Sequence, residues 1–581
     1  MNRLLPIAAA IALTLPACSA MPFAQRPAGP FAGTPPVDVD VPRQDRAAGH
    51  FLKGEVALRN ADYDRALKEF ESAAALDPDE PRFYTRLTAL YIRRGELDNA
   101  YRTVSRAVEL NPNDLDARIL LAGVLAGRGD EEGAARVYQE VINLSPGSSE
   151  AYLYLAAIRS KRGEVEEARK VLEKLVRANP NSVMGYYYLG RLYAAQGKLD
   201  RAEANFDEAL RRNPRSTPVL TDLGLVQEML DRPARASALY RKVLALEPDN
   251  EVARKRLASL LVGQQKLDEA IGEFRELERI EADPTETRVK IGLIYLEKGE
   301  YERAATELNL VRGAAPNDAR VLYYLGIVYT ETGEHEKAIE SLSEVQSTSP
   351  LYPDARLQLA YLAQKDNDLP KAIEHAQAAL AVKPDATPVL EYLVVLERER
   401  GSLPEAIAVA ERLVNTDPKN DRYQFTLGAL YDENGERPRA LERMREAIQL
   451  NPQNASALNY LGYSLAEEKQ DLEEAERLIQ RALSLDPNDG FYVDSLGWVY
   501  FQRGDYRKAV EHLERAVELT GDDPTINEHL ADAYRQTGRE LEALRLYREA
   551  LRRAETNEQR ARLESKVRAV EQAQETSERR L

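Results

Sequence analysis

The chain repeats one short pattern along most of its length, and residues 183–216 show that pattern clearly. From Tyr186 to Tyr193, apolar and small residues recur at i, i+3, i+4 and i+7, a spacing that places them on one face of a helix. Gly197 can adopt the left-handed conformation that ends such a helix. A second amphipathic helix follows, and Pro214 ends it because proline cannot continue a helix. The stretch therefore predicts a hairpin of two helices, 34 residues long, whose apolar faces need neighbouring hairpins to bury them.

The pattern recurs in fifteen consecutive repeats that together span residues 47–557. Fourteen of the repeats contain 34 residues, and the thirteenth, 455–489, contains one more, near Gln470 and Asp471. The repeats begin at residues 47, 81, 115, 149, 183, 217, 251, 285, 319, 353, 387, 421, 455, 490 and 524. Self-similarity over so many units predicts a tandem array of helical hairpins.

Two positions in the repeat hold small residues almost without exception. Position 20 (position 21 in the longer repeat) is alanine in all fifteen repeats, and position 8 is glycine or alanine in thirteen, with Thr88 and Val394 as the exceptions. The alanines are Ala66, Ala100, Ala134, Ala168, Ala202, Ala236, Ala270, Ala304, Ala338, Ala372, Ala406, Ala440, Ala475, Ala509 and Ala543. We expect the paired helices to approach most closely here, so that a larger side chain would overpack the contact at a cost of about 1–3 kcal/mol.

This period, with its small residues and its closing proline, resembles the tetratricopeptide repeat. The resemblance implies an all-α fold, a right-handed superhelix (an α-solenoid) of about fifteen helix-turn-helix repeats, in which the first helix of each pair lines a concave groove. Residues 558–581 are rich in Glu, Arg and Gln. They predict a polar capping helix that keeps the last hairpin soluble.

The N-terminus predicts a targeting segment. Residues 1–17 contain one arginine and an apolar run from 4 to 15, which is too short to span a bilayer as a helix. The sequence LPAC at 15–18 resembles a bacterial lipobox, in which Cys18 would carry the lipid. An ordinary signal peptide with an incidental cysteine is the alternative. By the same resemblance, Ser19 after the cysteine implies the outer membrane of a Gram-negative bacterium, with the chain facing the periplasm.

Residues 18–46 connect this segment to the repeats. They contain six prolines and no hydrophobic periodicity, a composition that predicts an extended tether. At about 3.1 Å per residue, such a tether would reach roughly 85 Å. An anchored chain could therefore stand well away from the membrane surface.

Composition and motifs argue against several functions. The formal net charge of −17 is distributed through every repeat, whereas binding to a nucleic-acid backbone needs a clustered basic face. The targeting segment, tether, repeats and cap leave no stretch for a catalytic domain. The five histidines show no metal-ligand spacing, and no phosphate loop, dinucleotide motif or nucleophile elbow occurs. We therefore expect a chain that is not an enzyme and that needs neither a metal nor a cofactor.

Function is expected on the first helices, because their inward positions carry aromatic side chains. In the family that the repeat resembles, positions 2, 5, 9, 12 and 13 of the first helix usually face inward. The candidate groove residues are Tyr187, Tyr323 and Tyr361 in the middle repeats and Phe425, Asn459, Tyr463, Phe491, Asp494, Trp498 and Phe501 in the later ones. Rigid rings give a large contact area at low entropic cost, so a protein segment is the expected ligand, with Trp498 as its anchor. The alternative is that these aromatics pack between neighbouring first helices.

Two motifs near the C-terminus narrow the resemblance: NYLGYSLA at 459–466 and DSLGWVY at 494–500. They look like a signature of large proteobacterial outer-membrane tetratricopeptide-repeat lipoproteins. The best-understood type with this layout is an adaptor for a periplasmic carboxy-terminal processing protease. The resemblance thus implies two kinds of partner: the processing protease and its cell-wall hydrolase substrates. A structural scaffold of an envelope machine, such as polysaccharide export or pilus biogenesis, and a self-assembling homo-oligomer are the alternatives.

Overall fold

The computed structural model describes residues 42–521, 523–554 and 556–578, with side chains to residue 573. Every regular element in these ranges is an α-helix, which confirms the predicted all-α fold. The chain divides into two compact halves, one ending at Lys290 and the other beginning at Ile291. The targeting segment, Cys18 and the tether as far as residue 41 lie outside the described residues.

Thirty-one helices are described, and each half is a series of antiparallel pairs. The N-terminal half contains α1 (Arg43–Arg59), α2 (Tyr63–Leu76), α3 (Pro81–Arg93), α4 (Leu97–Leu110), α5 (Leu115–Gly127), α6 (Glu131–Leu144), α7 (Ser149–Lys161), α8 (Val165–Ala178), α9 (Val183–Ala195), α10 (Leu199–Arg212), α11 (Thr217–Met229), α12 (Pro233–Leu246), α13 (Glu251–Gly263) and α14 (Leu267–Ile280), and the boundary falls within α15 (Thr285–Glu297). The C-terminal half contains α16 (Tyr301–Ala314), α17 (Ala319–Glu331), α18 (His335–Ser343), α19 (Tyr352–Lys365), α20 (Leu369–Val382), α21 (Thr387–Glu399), α22 (Leu403–Thr416), α23 (Asp421–Glu433), α24 (Arg437–Leu450), α25 (Ala455–Glu467), α26 (Leu472–Leu485), α27 (Gly490–Arg503), α28 (Tyr506–Thr520), α29 (Pro524–Gln536), α30 (Glu540–Arg553) and α31 (Asn557–Glu578).

The helix pairs follow the sequence repeats closely. Thirteen first helices begin at the residue that the repeat pattern predicts, and α19 begins one residue early, at Tyr352. Helix α1 begins at Arg43, so residues 43–46, which we assigned to the tether, are helical instead. Asp45 lies in the first turn of α1, where its charge favours the positive end of the helix dipole, and Ala47 is completely buried.

The small residues of the repeat lie where the paired helices meet. All fifteen alanines at position 20 are at most 1% exposed, which confirms the expected close contact. At position 8, a Cβ on Gly190 would lie 2.6 Å from the ring of Phe206 on the partner helix. The exception Val394 is paired with a small residue, Ala410, at the place in its repeat that corresponds to Phe206. A larger residue on one helix is therefore matched by a smaller one on the other.

The turn between paired helices needs a left-handed residue at position 15. Ten repeats have a glycine there, such as Gly435 with φ +80°, whereas five have residues with a Cβ. The thirteenth repeat is one of these five, with Lys469 at φ +54°. Its extra residue lies in the same turn, where the carboxylate of Asp471 accepts a hydrogen bond from the backbone N–H of Glu474 and caps α26. The insertion is thus absorbed by the turn and not by either helix.

We expect Lys469→Gly to stabilise the thirteenth repeat by about 1 kcal/mol, because a Cβ disfavours the left-handed region by roughly 1–2 kcal/mol. The matched change Gly435→Ala, which puts a Cβ at the same position of the preceding repeat, should destabilise that repeat by a similar amount. Hydrogen exchange of α25 and α26 measures the first effect, and exchange of α23 and α24 the second. Equal protection in Lys469→Gly and the unmodified chain would show that the turn is not strained.

Candidate protein-binding site

The predicted residues of the last repeats lie on neighbouring first helices of the C-terminal half. Asn459 and Tyr463 are on α25, and Asp494, Trp498 and Phe501 are on α27, at spacings of three or four residues that share a helix face. Helix α27 packs against both α25 and α29. The structure therefore places these five residues on two first helices that pack against each other, with α29 as a further wall.

An aromatic stack forms the centre of this site. The ring of Trp498 lies nearly parallel to that of Phe501, with centroids 4.7 Å apart and 4° between the planes. It also stacks on the imidazole of His529 on α29, at 4.0 Å and 17°. The ring of Tyr463 lies 6.2 Å from the same imidazole. Trp498 is half-buried, and much of its ring surface contacts side chains of its own and the adjacent first helix.

Asp494 and His529 form a buried pair beside this stack. Nδ1 of His529 lies 2.9 and 3.1 Å from the two carboxylate oxygens of Asp494, and both residues are only 6% exposed. Burial lowers the pKa of His529, but the negative charges of Asp494, Asp532 and Glu528 outweigh burial and raise the pKa above its ordinary value. The protonated imidazole then links α27 to α29 through a charge-assisted hydrogen bond.

We expect the fluorescence of Trp498 to report the protonation of His529. Trp498 is the only tryptophan of the chain, and a protonated imidazole quenches an indole stacked on it. Emission should therefore rise with pH, with a midpoint above the ordinary histidine pKa of about 6.5. Because the folded pKa is raised, the pair stabilises the fold fully below about pH 6.5 and loses its effect as the pH rises through that midpoint.

The variant Asp494→Asn tests this assignment. It removes the negative charge but leaves the imidazole buried, so the fluorescence midpoint should move to lower pH. The same midpoint in Asp494→Asn and the unmodified chain would show that Asp494 does not control the protonation of His529.

A second charged cluster attaches α31 to α29. Glu528 is 3% exposed, and its carboxylate accepts hydrogen bonds at 2.9 Å from both Nε and Nη2 of Arg562. Nζ of Lys566 lies 2.7 Å from the same carboxylate and donates a hydrogen bond to Asp532 at 2.6 Å. Burial raises the pKa of Glu528, but the hydrogen bonds from Arg562 and Lys566 outweigh it and lower the pKa below its ordinary value. We call Glu528, Asp532, Arg562 and Lys566 the α31 cluster.

Our sequence predictions missed both His529 and the α31 cluster. The available signal was the repeat register, because Arg562 and Lys566 follow Glu528 and Asp532 by 34 residues each. Helix α31 thus stands where the first helix of a further repeat would stand, with opposite charges facing α29. We predicted a polar capping helix, and α31 also has an apolar face that is buried. Its buried apolar residues are Leu563, Val567 and Val570.

Two predicted residues are strongly exposed on the first helices of the C-terminal half. Phe491, in the first turn of α27, is 56% exposed, and Tyr361 on α19 is 44% exposed. Val395 on α21, at the same repeat position as Tyr361, is 52% exposed. Large apolar side chains therefore remain accessible at positions 2 and 9 of the repeat, which are two of the five positions that we expected to face inward.

The other predicted aromatics pack on nearby side chains. Phe425 on α23 is half-buried against a cluster that contains Met444. The rings of Tyr323 and Tyr324 on α17 meet edge to face at 5.4 Å. In the N-terminal half, the ring of Tyr187 lies 6.1 Å from that of Phe206. Within the C-terminal half, Phe425 and Tyr323 make no described ring contact with the stack around Trp498.

Two further observations concern the described residues only. No three side chains of the metal-ligating types His, Cys, Asp and Glu are grouped there so as to hold a metal ion. Among the helices of the same ranges, none combines the length and apolar character that crossing a membrane requires.

Comparison with known proteins identifies the repeats. Models of the tetratricopeptide repeat match residues 155–217, 289–355 and 357–421, residues 392–555, and residues 57–124 and 229–289. A TPR repeat-containing protein of Pseudomonas aeruginosa is 40% identical over 65 residues, a match that covers 11% of this chain and 11% of that relative.

Several solved structures are also similar. Yeast Tom70 is 16% identical, with 92% of this chain and 97% of that one covered and a TM-score of 0.31. The Cut9–Hcn1 hetero-tetramer of APC/C is 15% identical, with coverages of 84% and 96% and a TM-score of 0.31. MamA of Desulfovibrio magneticus RS-1 is 25% identical, with coverages of 29% and 96% and a TM-score of 0.26.

The repeat models together cover well over half of the chain, and α6 and most of α1 and α11 lie outside the matched residues. Tetratricopeptide repeats serve as scaffolds for protein–protein contacts. The chain belongs to the tetratricopeptide repeat family.

Proposed function

We propose that this chain is a noncatalytic protein-binding adaptor, held at the outer membrane by a lipid on Cys18 and facing the periplasm. Its first helices bind a segment of a partner, and the adaptor brings a periplasmic carboxy-terminal processing protease to cell-wall hydrolase substrates. The observation that carries the binding role is the exposure of Phe491, 56%, next to the packed side chains of α27. The family resemblance of 459–466 and 494–500 supports the finer assignment to a protease adaptor.

The geometry suits an extended or helical protein segment. A phenylalanine side chain has few rotatable bonds, so little side-chain entropy is lost when a partner covers the ring of Phe491. Exposed apolar side chains also stand at position 9 of two consecutive repeats, Tyr361 and Val395, and they offer a partner contacts in register. The net charge of −17 keeps the long array soluble while these apolar side chains stay exposed.

Crosslinking in cells tests the proposal. The full-length tagged chain would be compared with Phe491→Glu and with the control Leu485→Glu, which changes a residue of 43% exposure on the second helix α26. We expect a processing protease and wall hydrolases among the crosslinked proteins, with at least one of these classes lost in Phe491→Glu and retained in Leu485→Glu.

Two outcomes would contradict the proposal. If export or pilus assembly components were captured in a fixed ratio, the chain would be a scaffold of an envelope machine and not a protease adaptor. Identical crosslinks in Phe491→Glu and the unmodified chain would show that the first helix α27 is not the binding surface.

A further inference from the structure

The outer face of the last second helix, α30, is unlike the corresponding face of every other repeat. Leu541, in its first turn, is 76% exposed, which is the highest value among the large hydrophobic residues that the structure describes. It occupies position 18 of its repeat. In nine other repeats this position is acidic and exposed: Asp64, Asp98, Glu132, Glu166, Asp200, Asp268, Glu302, Glu336 and Glu473.

The helix itself gives no reason for a leucine at this position. An acidic residue in the first turn of a helix is stabilised by the positive end of the helix dipole, by about 0.3–1 kcal/mol. An exposed leucine gains neither this interaction nor burial within the repeat. A partner that covers this side chain would supply the burial that the repeat does not.

Arginines follow Leu541 along the same face of α30. Arg545, Arg548 and Arg552 stand at i+4, i+7 and i+11 from Leu541, so the four side chains form one stripe. Together with Leu544 and Leu551 they line a shallow groove of about 570 Å³. No other repeat combines a large apolar residue at position 18 with arginine at these three later positions.

The arginines of this stripe are accessible. Arg545, Arg548 and Arg552 are all exposed. Arg548 forms one ion pair with Glu571 of α31 at 2.6 Å, and Arg552 lies 3.9 Å from Glu549. A partner that brings carboxylates to this face would meet several guanidinium groups whose donors are only partly used, since each guanidinium carries five N–H groups.

We propose that the outer face of α30 docks an acidic amphipathic helix of a partner protein, with apolar side chains of that helix on Leu541 and Leu551 and its carboxylates on the arginine stripe. A short helix can lie along this shallow surface, which is lined by side chains of a single helix. An anionic membrane surface is also negatively charged and is the alternative partner for this face. It would oppose a chain of net charge −17 over a wide area, whereas a short helix meets only the local basic stripe.

Binding of designed peptides to the purified chain tests this proposal. The probe is a fluorescein-labelled helical peptide with leucines on one face and glutamates on the other. One control peptide has the same composition with the leucines distributed around the helix, and another has lysine in place of glutamate. Fluorescence anisotropy should show binding of the first peptide only, and the affinity should fall as salt is raised.

The variant Leu541→Asp restores the acidic residue type of nine other repeats and should fold at least as well as the unmodified chain, by circular dichroism and thermal unfolding. It should weaken peptide binding about tenfold or more, as should Arg545→Glu. Leu519→Asp, at 42% exposure on the second helix α28, is the matched control and should bind as the unmodified chain does.

Three results would overturn the proposal. The first is that the acidic peptide does not bind the unmodified chain, and the second is that it binds Leu541→Asp equally well. The third is that the chain prefers anionic phospholipid vesicles and that Leu541→Asp abolishes this binding. The last result would assign the face to a membrane surface instead.

Discussion

Removing both cations of the α31 cluster, as in the double variant Arg562→Ala, Lys566→Ala, is expected to release α31 from the last repeat. Glu528 would otherwise remain buried without a partner, which costs about 3–5 kcal/mol. The chain can avoid this cost if α31 detaches, because water then reaches the carboxylate of Glu528. The free energy lost is therefore the whole docking energy of α31, including burial of Leu563, Val567 and Val570.

Hydrogen exchange measures this effect directly. Amides of α31 and α29 should lose protection in the double variant, while those of α25 and α26 keep it. The control Arg560→Ala, Arg568→Ala removes the same charge from α31, and the hydrogen bonds that the structure describes for these two side chains lie within residues 554–568. Unchanged protection of α31 in the first variant, or equal loss in the control, would show that the cluster does not hold the helix.

Acid should have the same consequence as the double variant. Because the pKa of Glu528 is lowered in the folded chain, its contribution to stability is present above its unfolded value of about 4.5 and is lost as the pH falls through the folded pKa. Protection of α31 should thus decrease below about pH 4.5 in the unmodified chain, and the double variant should show little further change there.

Replacing Ala236 with phenylalanine is expected to disrupt the hairpin of α11 and α12. Ala236 is completely buried at position 20, where the two helices approach most closely. Adding an aromatic ring there forces the helices apart, at a cost of about 1–3 kcal/mol or more. Stability in repeat arrays is a sum of terms from each repeat and its neighbours, so the loss should stay local.

The matched control is Ala238→Phe, two residues later on α12, where the side chain is exposed. Hydrogen exchange should show lost protection for α11, α12 and the adjacent helices in Ala236→Phe, and almost none in Ala238→Phe. Equal loss of protection in every repeat of the N-terminal half would mean that this half unfolds as one unit and not repeat by repeat.

For the candidate binding residues, the sequence predicts their position on a helix but not their exposure. The positions of Phe491 and Trp498 on a first helix follow from the repeat register alone. Their different exposures do not, because Trp498 is covered by Phe501 and by His529 from the next repeat. Which side chain is free to bind therefore depends on the neighbour that each repeat meets.

The sequence by itself determined the all-α fold, the number of hairpins, the start of nearly every first helix and the burial of the position 20 alanines. These features depend on local signals, namely helical periodicity, turn residues and proline, which act within 34 residues. The tertiary structure alone decided that α1 begins at Arg43, that Asp494 and His529 form a buried pair, and that α31 is held by opposite charges. Each of these depends on contacts between different helices, where burial changes the energy of a charge and a sequence pattern does not reveal which groups will meet.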